Sequence, residues 1–135
     1  MFEHEFAEQL AAQGFWVHVL QDNKNGQPFD IIAARNGTTY VFDCKDCQND
    51  KFQLSRIEEN QKNAMLLWAE TGNQAGLFAL QMTERIYVIA LKAIMILKEQ
   101  GLKQIGIHEL NRYGRTIEQW IAAKDRIDKR VDLCR

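Results

Sequence analysis

Proline is almost missing from this 135-residue chain, where Pro28 is the only one. No Gly/Ser-rich, charge-block or repetitive stretch divides the sequence either, so a single domain over residues 1–135 is expected. No apolar run approaches the roughly 18 to 20 residues needed to cross a bilayer. The first thirteen residues carry Glu3, Glu5 and Glu8 where a secretory leader would be basic. These absences predict a soluble, cytoplasmic protein with no membrane partner. Cysteines number only three, without disulfide-framework spacing, which fits free thiols in a reducing compartment. Charge of one sign is lacking as well: the net value is -1, so a nucleic-acid partner must be argued from where charges sit. Residues 111–135 hold seven Lys or Arg against four Asp or Glu, a local +3 that leaves the remainder at -4.

What is present is enough apolar material, 46% of residues, to build one core. Phe2, Phe6 and Leu10 recur at four-residue spacing before Gly14, which predicts an amphipathic first helix with Glu3 at the edge of its buried stripe. Phe15 to Leu20 reads as a strand and Gln21 to Pro28 as a turn. Phe29 to Ala34, the Asn36-Gly37 turn and Thr38 to Lys45 predict a hairpin. A helix is expected over Phe52 to Glu70, strands over Gly76 to Gln81 and Arg85 to Ala90, and a helix over Lys92 to Gln100. A short extended piece at Ile105 to Ile107 and a long helix from Thr116 to Arg130 complete the order α-β-β-β-α-β-β-α-α. That order implies an α/β (α+β) fold, a central mixed sheet flanked by helices.

Strand side chains alternate faces, so Asp43 and Lys45 point the same way while Phe42 and Cys44 point the other. Asp30 lies thirteen residues before Asp43, and the hairpin between them can bring the two carboxylates toward one place. Two acids and an ammonium are what phosphodiester hydrolysis asks for. Hard oxygens hold Mg²⁺ or Mn²⁺, the metal polarises the phosphoryl oxygen and activates water, and a lysine positions the nucleophile or neutralises charge. By itself an Asp-x-Lys triplet equally describes a cross-strand ion pair, because short motifs recur by chance. The surroundings separate the two: a helix bearing Glu3 comes before, Pro28-Phe29-Asp30 leads in, and a helix bearing Gln61 follows.

In that context the sequence resembles the PD-(D/E)XK nuclease superfamily, with its restriction-endonuclease-like fold, and within it the Holliday junction resolvases. Glu3 and the downstream Gly14-Phe15 are similar in spacing to the archaeal Hjc-type enzymes, which favours Glu3 over Glu5. Phe52-Gln53-Leu54-Ser55-Arg56, Gln61, Met65 and Gly76-Leu77-Phe78 follow the order of the bacterial RecU-type enzymes. The likeness covers roughly Phe2 to Leu91 and continues weakly through Ile105 to Ile117. The chain departs from the RecU type at Asp43, where that family has Glu, and at Asn60, where it has His. It also lacks the basic N-terminal arm and the long stalk, the latter replaced by Gln21 to Pro28. These departures bear on junction specificity more than on nuclease chemistry.

The resemblance implies Asp30, Asp43 and the main-chain carbonyl of Cys44 as ligands of Mg²⁺ or Mn²⁺, with Glu3 binding the metal or a water on it. It makes Lys45 the residue that orients the attacking water or stabilises the transition state, and Gln61 the one that holds the site or the phosphate. Beside two carboxylates, Lys45 is expected to stay charged. Lys51, Ser55, Arg56 and Lys62 are candidate DNA contacts, though a solvated face explains them equally well. The further implications are a homodimer, since a junction needs two cuts, four-way DNA as partner, and a bacterial or phage source. Flap, single-stranded or duplex DNA is an alternative substrate, and a non-cutting DNA-binding or partner-docking module is the alternative from another class. Cys44-x-x-Cys47 lacks the further ligands a structural zinc requires. His4, His18 and His108 have no evident partner, and Trp16, Trp68 and Trp120 read as core or interface residues.

Overall fold

The computed structural model describes residues 2–20 and 28–133, with side chains through residue 126. The turn expected over 21–28 therefore lies, apart from Pro28, outside the described residues, as does Cys134. Helix α1 (Phe2–Ala12) buries Phe2, Phe6, Ala7 and Leu10, the stripe that the four-residue spacing predicts. Strands β1 (Trp16–Val19), β2 (Ile31–Arg35) and β3 (Thr38–Asp46) form an antiparallel meander. Its β2–β3 turn needs two residues in the left-handed region; Asn36 and Gly37 supply them at φ 50° and 81°.

After β3 the chain makes a short strand β4 (Lys51–Gln53), a 3₁₀ turn (Leu54–Arg56) and helix α2 (Glu59–Glu70). Strands β5 (Leu77–Met82) and β6 (Arg85–Ala90), helix α3 (Leu91–Glu99) and strand β7 (Gln104–Gly106) follow. Helix α4 (Ile107–Tyr113), a two-residue strand β8 (Arg115–Thr116) and helix α5 (Ile117–Leu133) complete the described chain. The six-stranded sheet has the order β1-β2-β3-β5-β6-β8, with β3 and β5 parallel and every other pair antiparallel. The central mixed sheet flanked by helices is thus the fold class that the pattern predicts.

The sheet separates two apolar clusters. On one face Phe6, Leu10, Tyr40, Phe42, Val88 and Trp120 pack under α1 and α5. On the other, Phe52, Met65, Phe78, Leu80, Ile94 and Leu110 pack under α2, α3 and α4. Strand β3 is covered on both faces, and from Tyr40 to Asp43 it is fully buried. A carboxylate in that run is the one charged exception to an otherwise apolar stretch.

Three expectations need correction. The helix expected over Phe52 to Glu70 begins only at Glu59, because Phe52 and Leu54 are buried at a period of two, with Lys51, Gln53 and Ser55 exposed between them. That alternation belongs to a strand, and β4 pairs with β7 through Phe52 opposite Ile105. Helix α4 and strand β8 were not expected. Over seven residues α4 buries only Leu110, too little to leave a helical period, and its start is held by Glu109 Oε1 accepting the Gly106 N–H at 2.7 Å.

Candidate active site

Asp43 and Lys45, two residues apart on β3, share the face that looks toward α2. Lys45 Nζ lies 3.1 Å from Asp43 Oδ2. Asp43 is 1% exposed. Burial therefore penalises its charged form; Lys45 opposes that effect, and the neighbouring Asp30 carboxylate adds to it by repulsion and by hydrogen bonding to the protonated form. The balance pushes the Asp43 carboxyl up to about 7.

Asp30 stands where the chain enters β2, and its backbone is fixed on both sides. Its N–H donates to the Phe42 carbonyl at 2.9 Å, and its carbonyl accepts the Leu20 N–H at 2.8 Å. The Asp30 carboxylate accepts the Cys44 N–H through Oδ2 at 2.8 Å. A residue's N–H and C=O leave an extended strand on the same side. The Cys44 carbonyl consequently points to the Asp30 side, beyond the last β2 pairing.

Gln61 reaches Asp43 from α2. Its Nε2 donates to Asp43 Oδ1 at 3.0 Å, and its Oε1 accepts the Glu58 N–H at 3.3 Å. The second bond decides the amide orientation: with oxygen committed to the helix N-terminus, the NH₂ must face the carboxylate. Phe29 packs edge-on against Trp68 of α2, ring centroids 6.2 Å apart, which ties the segment carrying Asp30 to the helix carrying Gln61.

Asp43 Oδ2 is buried and makes the ionic contact with Lys45 but no hydrogen bond. A buried carboxylate oxygen held by one ionic contact, next to Asp30 and the Cys44 carbonyl, suits a hard divalent cation. Among the described residues no three His, Cys, Asp or Glu side chains converge as a metal-binding group. The groups that could hold a cation here would be two carboxylates and one main-chain carbonyl, hard oxygen donors of the kind Mg²⁺ and Mn²⁺ take.

A family model described as "RecU: Recombination protein U" matches residues 22–128. The chain belongs to the recombination protein U family. Comparison with curated proteins finds no match. A solved structure of similar fold is that of Archaeoglobus fulgidus Hjc, described as a Holliday junction resolvase from an archaeal hyperthermophile. It superposes with a TM-score of 0.67 and 16% identity, over 89% of this chain and 97% of that one.

In this RecU-family chain Asp30, Asp43, Cys44, Lys45 and Gln61 come together. Glu3 is half-buried in the first turn of α1, on the opposite face of the sheet. It is near enough that its charge, after burial and after Asp30 and Asp43, helps raise the Cys44 thiol well above its ordinary range. Glu5 is exposed. The Cys44 thiol stays neutral and packs toward α1. Cys47, also raised, chiefly by burial, packs in the other cluster, so the two thiols do not face one another.

The candidate DNA contacts divide. Lys51 and Arg56 line a concavity of about 560 Å³ with Asp46, Gln48, Asn49 and Gln53, immediately beyond the end of β3. Arg56 is anchored there: Nη1 donates to the Asp46 carbonyl at 3.2 Å and to Cys47 Sγ at 3.9 Å. Ser55 opens instead on a separate cavity with Lys98 and Lys103, two cations the sequence did not single out. Lys62 follows Gln61 on α2 and is half-buried. Sequence reasoning also missed that Glu58 orients Gln61, although the Glu58-x-x-Gln61 capping pattern was there to be read.

Proposed function

We propose that this chain resolves four-way DNA junctions as a divalent-metal-dependent endonuclease, working as a symmetric dimer. The observation that carries this reading is the convergence of Asp30, Asp43, Lys45 and Gln61 at the end of β3 in a RecU-family chain. Among the described residues no helix is long and apolar enough to cross a membrane.

Asp30 and Asp43, with the Cys44 carbonyl, are the residues that would hold the cation, Mg²⁺ or Mn²⁺. When bound, that cation supplies Lewis acidity toward the scissile phosphoryl oxygen and favours ionisation of water near neutral pH. Lys45 presents its ammonium beside Asp43, where it orients the attacking water and offsets negative charge that grows as water adds to phosphorus and a P–O bond to deoxyribose breaks. Gln61 holds Asp43 Oδ1 and so keeps the carboxylate plane fixed. Glu3, on α1 at the opposite face of the sheet, would act toward that cation through its charge. Lys51 and Arg56 offer phosphate contacts next to the cut strand, with Ser55 and Lys62 at its margins.

The test incubates the purified protein with Mg²⁺, or with Mn²⁺, and a labelled immobile four-way junction, beside flap, single-strand and duplex controls. Paired symmetric nicks in the junction, abolished by Asp43→Asn, are expected. Equal cutting of every substrate would remove the junction assignment and keep the nuclease. No cutting with either ion would leave a DNA-binding module.

A further inference from the structure

A second concave site lies away from Asp43, where the α4–β8 turn meets the end of β6, the start of β5 and α5. Its volume is about 460 Å³. Lys92, Arg112, Arg115 and Lys124 line it, and none of its lining residues is acidic. Lys92, Arg112 and Arg115 form no ion pair among the described residues. In a chain of net charge -1, four cations and no acid are gathered at this one cavity.

The helix dipole favours Arg112, in the last turn of α4, but it does not account for Lys92. Lys92 stands in the first turn of α3, where the helix dipole disfavours a cation. Arg112 lies 5.4 Å from the Tyr113 ring centroid, and Lys124 Nζ lies 5.3 Å from both the Tyr40 and Trp120 rings. Tyr40 and Trp120 are buried, so their rings lie only at the floor of a cavity whose open surface is mainly polar. With no acidic residue in the lining, the four cations repel one another, and a bound anion offsets that repulsion.

The turn that carries two of them is closely seated. A Cβ at Gly114 would sit 3.0 Å from the Val88 carbonyl oxygen and 3.1 Å from that of Leu110, so a bare glycine lets Arg112 and Arg115 lie against β6. Two guanidinium groups on one short turn suit the oxygens of a phosphate, which they bind in forked pairs. The exposed Tyr113 ring and the Gln74 amide, also in the lining, suit the sugar and base beside it.

We propose that this cavity binds phosphate groups of the DNA backbone, on a segment of the substrate other than the one at Asp43. Tyr40, Leu77, Val88 and Trp120 belong to the cluster under α1 and α5, whereas Asp43 looks toward α2. Tyr40 is also three residues, about 10 Å, before Asp43 along β3. The identification of DNA as the source of the phosphate rests on the nuclease reading; the anion chemistry does not.

The test measures binding of a labelled duplex and a labelled four-way junction over a salt series, in EDTA so that no cutting occurs. It compares the wild type with Arg112→Ala/Arg115→Ala and with Arg112→Lys/Arg115→Lys, each checked for an unchanged melting temperature. The alanine pair is expected to weaken binding about tenfold or more and to flatten the salt slope by about two, roughly one for each lost phosphate contact. The lysine pair should retain the slope. Inorganic phosphate and a nucleoside monophosphate are titrated separately, with the intrinsic tryptophan fluorescence, to which Trp120 contributes, as readout. A response to these, with DNA slopes identical across variants, would keep phosphate as the ligand and overturn DNA as its source. Identical slopes with no response to phosphate would overturn the site. A protein that binds DNA with the expected slopes yet never cuts would sink the nuclease reading and leave this one standing.

Discussion

Asp43 is the residue at which stability and the proposed chemistry oppose each other. Its carboxyl rises from an ordinary 3.8 to about 7 because burial disfavours the charge more than Lys45 restores it. A group whose pKa is higher folded than unfolded adds stability fully below its unfolded value, and that contribution is lost as pH climbs through the folded value. For metal-free protein the loss falls between about pH 4 and 7 and corresponds at full effect to roughly 4 kcal/mol. Asp43→Asn, which mimics the protonated form, should therefore melt several degrees above the wild type at pH 8 in EDTA, with the gap closing at pH 4, while cutting nothing. Melting curves at both pH values check it, and parallel behaviour of the two proteins would refute the burial argument. A divalent cation should reverse the penalty, since it competes with that same proton. Its affinity is expected to rise about tenfold per pH unit up to about pH 7 and then level, measurable by calorimetry from pH 5 to 8.

At the scale of elements, α2 must approach β5 closely for Gln61 to reach Asp43, and Gly76 permits that approach. A Cβ at position 76 would lie 2.5, 2.6 and 2.7 Å from Met65 Cγ, Sδ and Cβ. Met65 is one turn after Gln61 on the same buried face. Gly76→Ala should accordingly cost about 1–3 kcal/mol through overpacking, and displace Gln61 enough to lower cutting while metal-free DNA binding is unchanged. A melting curve and a cleavage assay on one preparation test this, and full activity would show that Gln61 does not depend on the spacing. The likeness of Phe52, Gln61, Met65 and Gly76 to the RecU type was legible in sequence order; their packing was not, because a helical period and a strand period met without a break between Leu54 and Gln61. The hairpin was legible to within two residues at its strand ends, since Asn36-Gly37 and the alternation around Asp43 are both local signals. The basic cavity was invisible for the opposite reason: its cations come from α3, α4, β8 and α5, and no spacing along the chain announces a site assembled from separate segments.

For the whole molecule, the decisive quantity is the number of catalytic centres per junction. One chain carries one constellation of Asp30, Asp43 and Lys45, and resolving a four-way junction requires two strands to be cut. The proposed symmetric dimer places two such centres on one substrate, related by the two-fold axis of the junction itself. In that arrangement each subunit cuts its own strand, so subunits can be silenced singly. Wild type and Asp43→Asn, mixed in equal amounts and allowed to exchange, should leave paired cuts at about one quarter of the wild-type level, because random pairing makes one dimer in four fully active. About half of the dimers should nick one strand only, and singly nicked junction should accumulate in proportion. A cruciform plasmid reads both products at once, since paired cuts linearise it and a single cut relaxes it. If each chain acted alone, the inactive variant would merely dilute the enzyme. Linear product would then keep its ratio to nicked product at matched extents of reaction, and the two-centre arrangement would fail.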